Sequence, residues 1–468
     1  MGAAGTKRDL PKDPLTGISI AEFARQLRRG ELTIEATVRD YLIRIGTLDP
    51  RLGAFEFVAA DSALESASAL DRLLAAGCDL GPLMGIPIGI KDLFAVSGTP
   101  VTAGSRIDIA DLVGAEGSFV KLLRKAGCVI LGKTKTVEFA YGAAGTNSVR
   151  GTPWNPWDSQ VHRAPGGSSS GSAVAVAAGL CTFAIGSDTG GSVRLPASLC
   201  GLFGLKTTVG LWPTDGVFPL SPTLDSIGLL TRSAEDAAIA FAVLTGHPIP
   251  TAVSLRALRL GVPKDFFFAD LDPAVAHCMD AAMALLKESG AAITSIQATN
   301  MRERESLFPI LLSSELMATL GRERFESGRH LMDPVVATRA ARGLEVAAID
   351  YVRMLRRHQE LKRIALTQMN GLDGWITPTT ALLPIPISEF TGVDRGLQMT
   401  AATSRNSQPM NMFGQCGTST PINSLGTHLP VGLQLSCRPF EEDHALAIAL
   451  ALEQRIGLPT APDLSGFL

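Results

Sequence analysis

Short apolar runs separated by helical patterns recur through the first half of this chain, and that alternation limits the folds open to it. The runs at 86–90, 128–131 and 182–185 are apolar at nearly every residue, while helical spacing appears at 35–46, 61–76 and 117–126. A strand that is apolar on both sides must be covered on both faces, so the pattern predicts an α/β domain with a covered sheet. Ser19-Ile-Ala-Glu22 has the form of a capping box, with Phe23, Ala24 and Leu27 on one face behind it, which predicts an N-terminal helix. From about 260 to 370 the pattern turns mainly helical, as at 274–288; strands return near 374–380 and 431–436, and 441–454 reads as a last helix. No internal repeat, Pro/Ser-rich linker or charge block divides the 468 residues, so one large domain spanning 1–468 is expected.

Charge and cysteine usage narrow the function classes. A net charge of -3, with no Lys/Arg cluster interleaved with aromatics, gives no footprint for nucleic acid. The densest basic run, Arg353, Arg356, Arg357 and His358, has Tyr351, Met354, Leu355, Leu361 and Ala365 at amphipathic spacing and reads as the solvated face of a helix. The seven cysteines (78, 128, 181, 200, 278, 416, 437) form no CxxC pair and share no ligand spacing with histidine. Buried thiols in a reducing compartment, no metal site and a cytoplasmic location are therefore expected. The first residues bring charges at Lys7, Arg8 and Asp9 where a signal peptide needs an apolar stretch, although Gly2 to Thr6 fits the short myristoylation pattern. The uncharged stretch 164–187 is densely apolar only over 173–186 and opens on a Ser/Gly cluster, which suits a buried helix and strand better than a membrane span.

Three segments concentrate glycine, serine and lysine beyond what a core requires: Gly85-Ile-Pro-Ile-Gly-Ile-Lys91-Asp92, Pro165-Gly-Gly-Ser168-Ser-Ser-Gly-Ser172, and Gly186-Ser-Asp188-Thr-Gly-Gly-Ser192-Val-Arg194. A lysine closing an apolar strand is drawn into low dielectric, which penalises its charged form and makes Lys91 a usable base. Thr189-Gly190-Gly191 immediately before a serine lets backbone N–H groups converge on one point, the arrangement an oxyanion hole requires, with Ser192 carrying the nucleophile. Each segment also has a plain structural reading. Glycines make turns, strand-end lysines reach to water, and Ser168 to Ser172 could simply cap a helix at 173–178.

Taken together and in this order, the three segments resemble the amidase signature family, whose members carry a GIPxxxKD-like segment, then PGGSSxGS, then D-x-GGSxR. Ser168 stands 77 residues after Lys91 and 24 before Ser192, the latter interval being usual in that family. The likeness covers about 70–240, the signature core, and returns at Leu372-Asp-Gly-Trp-Ile-Thr-Pro378 and Leu429-Pro-Val-Gly-Leu-Gln434; it is poor from about 245 to 365. The resemblance implies a single large domain on a central mixed, twisted β-sheet with helices on both faces. It further implies a Ser-cisSer-Lys amidohydrolase that needs no cofactor: Ser192 the acylated nucleophile, Ser168 the bridging serine after a cis peptide from Gly167, and Lys91 the terminal base. Thr189, Gly190 and Gly191, with the Ser192 N–H, would form the oxyanion hole; Ser169 would bond near the bridge, and Asp188 with Arg194 would brace the glycine loop. Leu195 would face the pocket and favour a small neutral amide, anilide or carbamate, cut by a monomer or homodimer. The divergent, mainly helical 245–365 region, with 308–319, would cover the pocket mouth.

Other readings compete. Gly127-Cys-Val-Ile-Leu-Gly132-Lys133-Thr134 satisfies the P-loop expression, but its middle residues read as a strand following a helix rather than as the turn after one. Gly167-Ser-Ser169-Ser-Gly171 fits a nucleophile elbow that would need His428 or His444, yet no strand precedes it. Ser118-Phe-Val-Lys121 matches SxxK without its companion motifs. The glutamine-hydrolysing A subunits of tRNA-dependent amidotransferases share the three signature segments, but usually carry glutamine where this chain has Leu195.

Overall fold

The computed structural model describes residues 10–468, so the acylation pattern at Gly2 to Thr6 lies outside the described residues. Eleven strands form one mixed sheet: β1 (Phe55–Val58), β2 (Pro87–Lys91), β3 (Val129–Thr134), β4 (Phe183–Asp188), β5 (Phe203–Lys206), β6 (Ser226–Thr231), β7 (Arg259–Pro263), β8 (Ala292–Ile296), β9 (Gly374–Pro378), β10 (Cys416–Pro421) and β11 (Gly432–Cys437). Their order is β1-β3-β2-β4-β6-β5-β10-β11-β9-β7-β8. β2 runs parallel to both β3 and β4, and β7 parallel to β8 and β9, while the strands from β4 through β6, β5, β10 and β11 to β9 are antiparallel. β2, β3, β4, β9, β10 and β11 are buried at every residue, as strands covered on both faces must be.

The cover is helical. Ala60–Ala75 lies on β3, Ser170–Ala177 on β2 and β4, and Glu442–Ile456 on β10 and β11. The last of these joins two apolar clusters, giving Leu446 and Ala449 to the larger and Ala445, Ile448 and Leu452 to the smaller around β7, β9 and β11. Burying such side chains is worth about 1.5–3 kcal/mol each for the larger ones.

The helices expected at 61–76, 117–126 and 274–288 form as Ala60–Ala75, Ser118–Lys125 and Pro273–Glu288, and 35–46 falls in the N-terminal part of a longer one, Ile34–Leu52. Half of the capping box forms: Ser19 accepts the Glu22 N–H, but the Glu22 carboxylate turns to Arg25 and Arg29 instead. The stretch expected to be helical contains β7 and β8, because an edge strand such as Ala292–Ile296 is half in water and needs no apolar run. Of the basic run, Arg353 and Arg356 are exposed; Arg357 pairs with Glu303 and Glu360, and His358 is buried, so the solvated face excludes it. No helix among the described residues is long and apolar enough to cross a membrane.

Candidate active site

Lys91 ends β2 and Asp188 ends β4. These strands lie side by side and parallel, so both chains leave the sheet at the same edge, where open α/β sheets hold their ligands. Ser168 sits just before the helix Ser170–Ala177, whose packing on β2 and β4 brings the serine to that edge. The Lys91 side chain is fully buried, with Nζ 2.7 Å from Ser168 Oγ and 2.9 Å from Ser187 Oγ. Burial brings its pKa down to about 7, against the pull of the Asp225 and Asp188 carboxylates, which favour the charged form.

The Gly167–Ser168 peptide is cis. The Ser168 carbonyl is fixed by the Val137 N–H at 3.1 Å and the Thr136 hydroxyl at 3.0 Å. Ser169 ties the segments together: its N–H donates to the Ser192 carbonyl at 3.2 Å and its hydroxyl to the Ser187 carbonyl at 3.4 Å. Ser192 is 6% exposed, between a buried loop and the short helix Arg194–Leu199.

Asp188 organises the loop before Ser192. Its carboxylate accepts the N–H groups of Gly191 (2.8 Å) and Val193 (3.2 Å), the Asn411 amide (2.8 Å) and two guanidinium nitrogens of Arg194 (2.9 and 3.0 Å). Burial pushes this carboxyl up, but the Arg194 charge and the bonds from Arg194 and Asn411 outweigh it and hold it well below the usual carboxylate range. Arg194 is itself fully buried and also donates to Gln434, Asn411 and the Ser407 carbonyl. The Gly191 N–H, expected among the oxyanion donors, is thus already spent on Asp188. The N–H groups of Thr189, Gly190 and Ser192 have no acceptor among the described residues. Gly191 is needed for shape: its φ is +120°, and a Cβ there would lie 2.1 Å from Ser407 Oγ.

Ser192, Thr189, Gly190 and Leu195 share a pocket with Leu220, Leu312, Arg339, Thr400, Ser404 and Gln408. Leu312 and Arg339 come from the divergent 245–365 stretch, and Phe308 packs against Gly190. Sequence reasoning missed Ser187 and Asp225 beside Lys91, Ser407 and Gln434 behind the glycine loop, and Arg339. Ser187 lies inside the third glycine-rich segment, and a lysine needing a second partner could have singled it out; Asp225 and Arg339 stand in no motif. Asp225, bonded to Thr189 Oγ1 at 2.5 Å, has its carboxyl raised to about 6 by burial, with the Thr189 and Ser221 bonds working the other way.

The competing motifs are otherwise engaged. Lys133 is the buried partner of Asp92 at 2.6 Å and lies within β3, so the P-loop expression has no loop. Ser118 bonds Asp215 on the surface. Among the described residues no three His, Cys, Asp or Glu side chains group as a metal site would.

The model of the family described as Amidase matches residues 36–446. The 2-amino-5-chloromuconic acid deaminase of Comamonas testosteroni is 39% identical over 457 residues, covering 96% of this chain and 99% of that protein. The glutamyl-tRNA(Gln) amidotransferase A subunit of Geobacter metallireducens is 32% identical over 478 residues, covering 94% and 97%. A crystal structure of an amidase superposes with a TM-score of 0.86 at 29% identity, covering 94% of this chain and all of that one.

Proposed function

The chain belongs to the amidase family and is a hydrolase of amide-type C–N bonds; from that premise we propose that it works through an acyl-enzyme on Ser192, with Ser168 and Lys91 as the proton path. The observation that carries this reading is the buried Lys91 amine, 2.7 Å from Ser168 Oγ and with a pKa near 7. A neutral amine donates to Ser187 and keeps its lone pair for the Ser168 proton, so Ser168 can in turn accept the proton of Ser192 as that hydroxyl attacks. The N–H groups of Thr189, Gly190 and Ser192 face the developing oxyanion, and losing one such donor costs about 2.7–4 kcal/mol in other hydrolases. The proton returns by the same path to the leaving nitrogen, and water then releases the acyl group.

Ser169, Asp188 and Arg194 keep the three segments in register without touching substrate. Leu195, Leu220 and Leu312 form apolar walls for the acyl part of a small amide, anilide or carbamate. Seven free thiols, six of them buried, fit the expected reducing compartment. A second reading, glutamine hydrolysis within an amidotransferase, is favoured by the 32% identical relative. Purified protein should release ammonia or amine from at least one of an aliphatic amide, an anilide and an aryl carbamate, and Ser192→Ala should lose about 10³-fold or more in kcat. Turnover of glutamine alone would favour the second reading, and turnover surviving Ser192→Ala would contradict the first.

A further inference from the structure

Arg339 is the one charged side chain lining the pocket that holds Ser192, among the described residues. It has no carboxylate partner among the described residues. The only side-chain hydrogen bond it makes among the described residues runs from Nη1 to the Tyr141 carbonyl at 2.6 Å, and the guanidinium lies 3.8 Å over the Tyr141 ring. Of the buried arginines, Arg194 is compensated by Asp188 and Arg44 by the carbonyls of Pro11, Ala178 and Gly179, while Arg304 has the Gln408 amide oxygen. For Arg339, burial and the neighbouring Arg342 both work against the charge, with Tyr141 pulling the other way between them in size. A half-buried guanidinium on the pocket wall with one of its five donors engaged by the protein can take an anion supplied from outside.

The frame around it is fixed. Arg339 rides on the helix Pro334–Ala341, whose N-cap, Asp333, accepts the Val335 N–H at 2.9 Å and the Ser148 hydroxyl at 2.6 Å. The Asp333 N–H donates to Glu138 at 2.7 Å, and Glu138 opens the turn that leads to Tyr141. The arginine and the ring beneath it thus belong to one framework, so little ordering is left to be done on binding. Gln408, also on the pocket wall, has its Oε1 held by Arg304 at 2.5 Å, which leaves its amide N–H groups as donors. The wall therefore offers a guanidinium and an amide donor, and no carboxylate that could receive a substrate ammonium group.

We infer that the substrate carries a carboxylate that pairs with Arg339, which makes it the half-amide of a short dicarboxylic acid rather than the neutral amide expected from Leu195. The inference rests on the Ser192 reading for the cleavage step. There the amide C–N bond breaks, a C–O bond to water forms after the acyl-enzyme, nitrogen leaves as ammonia, and the product is a dicarboxylate. Glutamine fits less well, because its ammonium group finds no acidic partner on this wall.

The test compares succinamate and glutaramate with butyramide, pentanamide and glutamine, on wild type, Arg339→Met and Arg339→Lys. Wild type should prefer the half-amides in kcat/KM by about 100-fold, the scale of a charge-assisted pair; Arg339→Met should collapse that ratio mainly through KM, and Arg339→Lys should restore part of it. Equal use of neutral amides by wild type, or an equal loss on both substrate types in Arg339→Met, would overturn the inference. If none of these amides, nor the anilide or aryl carbamate above, is turned over, the Ser192 reading fails, and calorimetry with glutarate still decides the Arg339 site. Binding to wild type weakened about 30-fold or more in Arg339→Met supports it, and absence of binding or equal binding overturns it.

Discussion

Lys91 is an amine held where water cannot reach it, and on the proposed mechanism it acts in its neutral form. With its pKa down from 10.5 to about 7 through burial, the reactive neutral form gains population as pH rises through 7. On the proposed mechanism kcat/KM climbs about tenfold per pH unit below 7 and levels above it. A profile flat from pH 5 to 9 would contradict that role. The same shift bears on stability. A folded-state pKa below the unfolded one means that the unfolded chain binds more protons between about 7 and 10.5, so this group's contribution to stability rises with pH over that window. Gly191 supplies a second residue-scale expectation. A methyl group there meets Ser407 Oγ at 2.1 Å on a backbone with φ of +120°, so Gly191→Ala should cost about 1–3 kcal/mol in urea unfolding from backbone strain alone. It should also lower kcat about 100-fold or more by displacing the donors beside Ser192.

The elements that hold the site are β2, β4 and the loop after β4, and the Asp188–Arg194 pair stiffens that loop with both side chains fully buried. Removing one member of such a pair strands the other charge, so Arg194→Met should destabilise the fold by about 3–5 kcal/mol in denaturant titration. A loss under 1 kcal/mol would mean that Asp188 is satisfied without its partner. These same elements were the legible part of the sequence. The apolar parts of β2 and β4 are short unbroken runs, and the glycine-serine segments at 165–172 and 186–194 stand out from any core composition. β8 and β10 were not legible: Ala292–Ile296 is an edge strand half in water, and Cys-Gly-Thr-Ser-Thr-Pro looks polar although every residue of it is buried. The bond made by the Gly191 N–H was not legible for a related reason. A glycine before a serine announces room for N–H groups, but which N–H is free depends on Asp188, whose carboxylate folds back on the loop. Arg339 was invisible because its meaning lies in what does not surround it, and only the packed helix Pro334–Ala341 brings it to the pocket.

At the scale of the whole molecule, one eleven-stranded sheet runs from β1 to β8, and the helix Glu442–Ile456 contributes to both apolar clusters. Neither cluster can lose its cover without exposing the other, so calorimetric unfolding should show a single transition; two resolved transitions would mean that the β7–β8–β9 end melts alone. The pocket draws on both stretches of chain, Ser192 from the part rich in signature segments and Leu312 and Arg339 from the divergent part. On the proposed reading, chemistry and substrate choice can therefore change separately within one framework. The proposed activity turns on the covalent step at Ser192. Mass spectrometry of the protein quenched during turnover of a slow carbamate or activated amide should find the acyl mass on the peptide containing Ser192 in wild type. It should find none in Lys91→Ala, where the proton path is cut. Acyl mass on another residue, or on Ser192 to the same extent without the Lys91 amine, would contradict the mechanism.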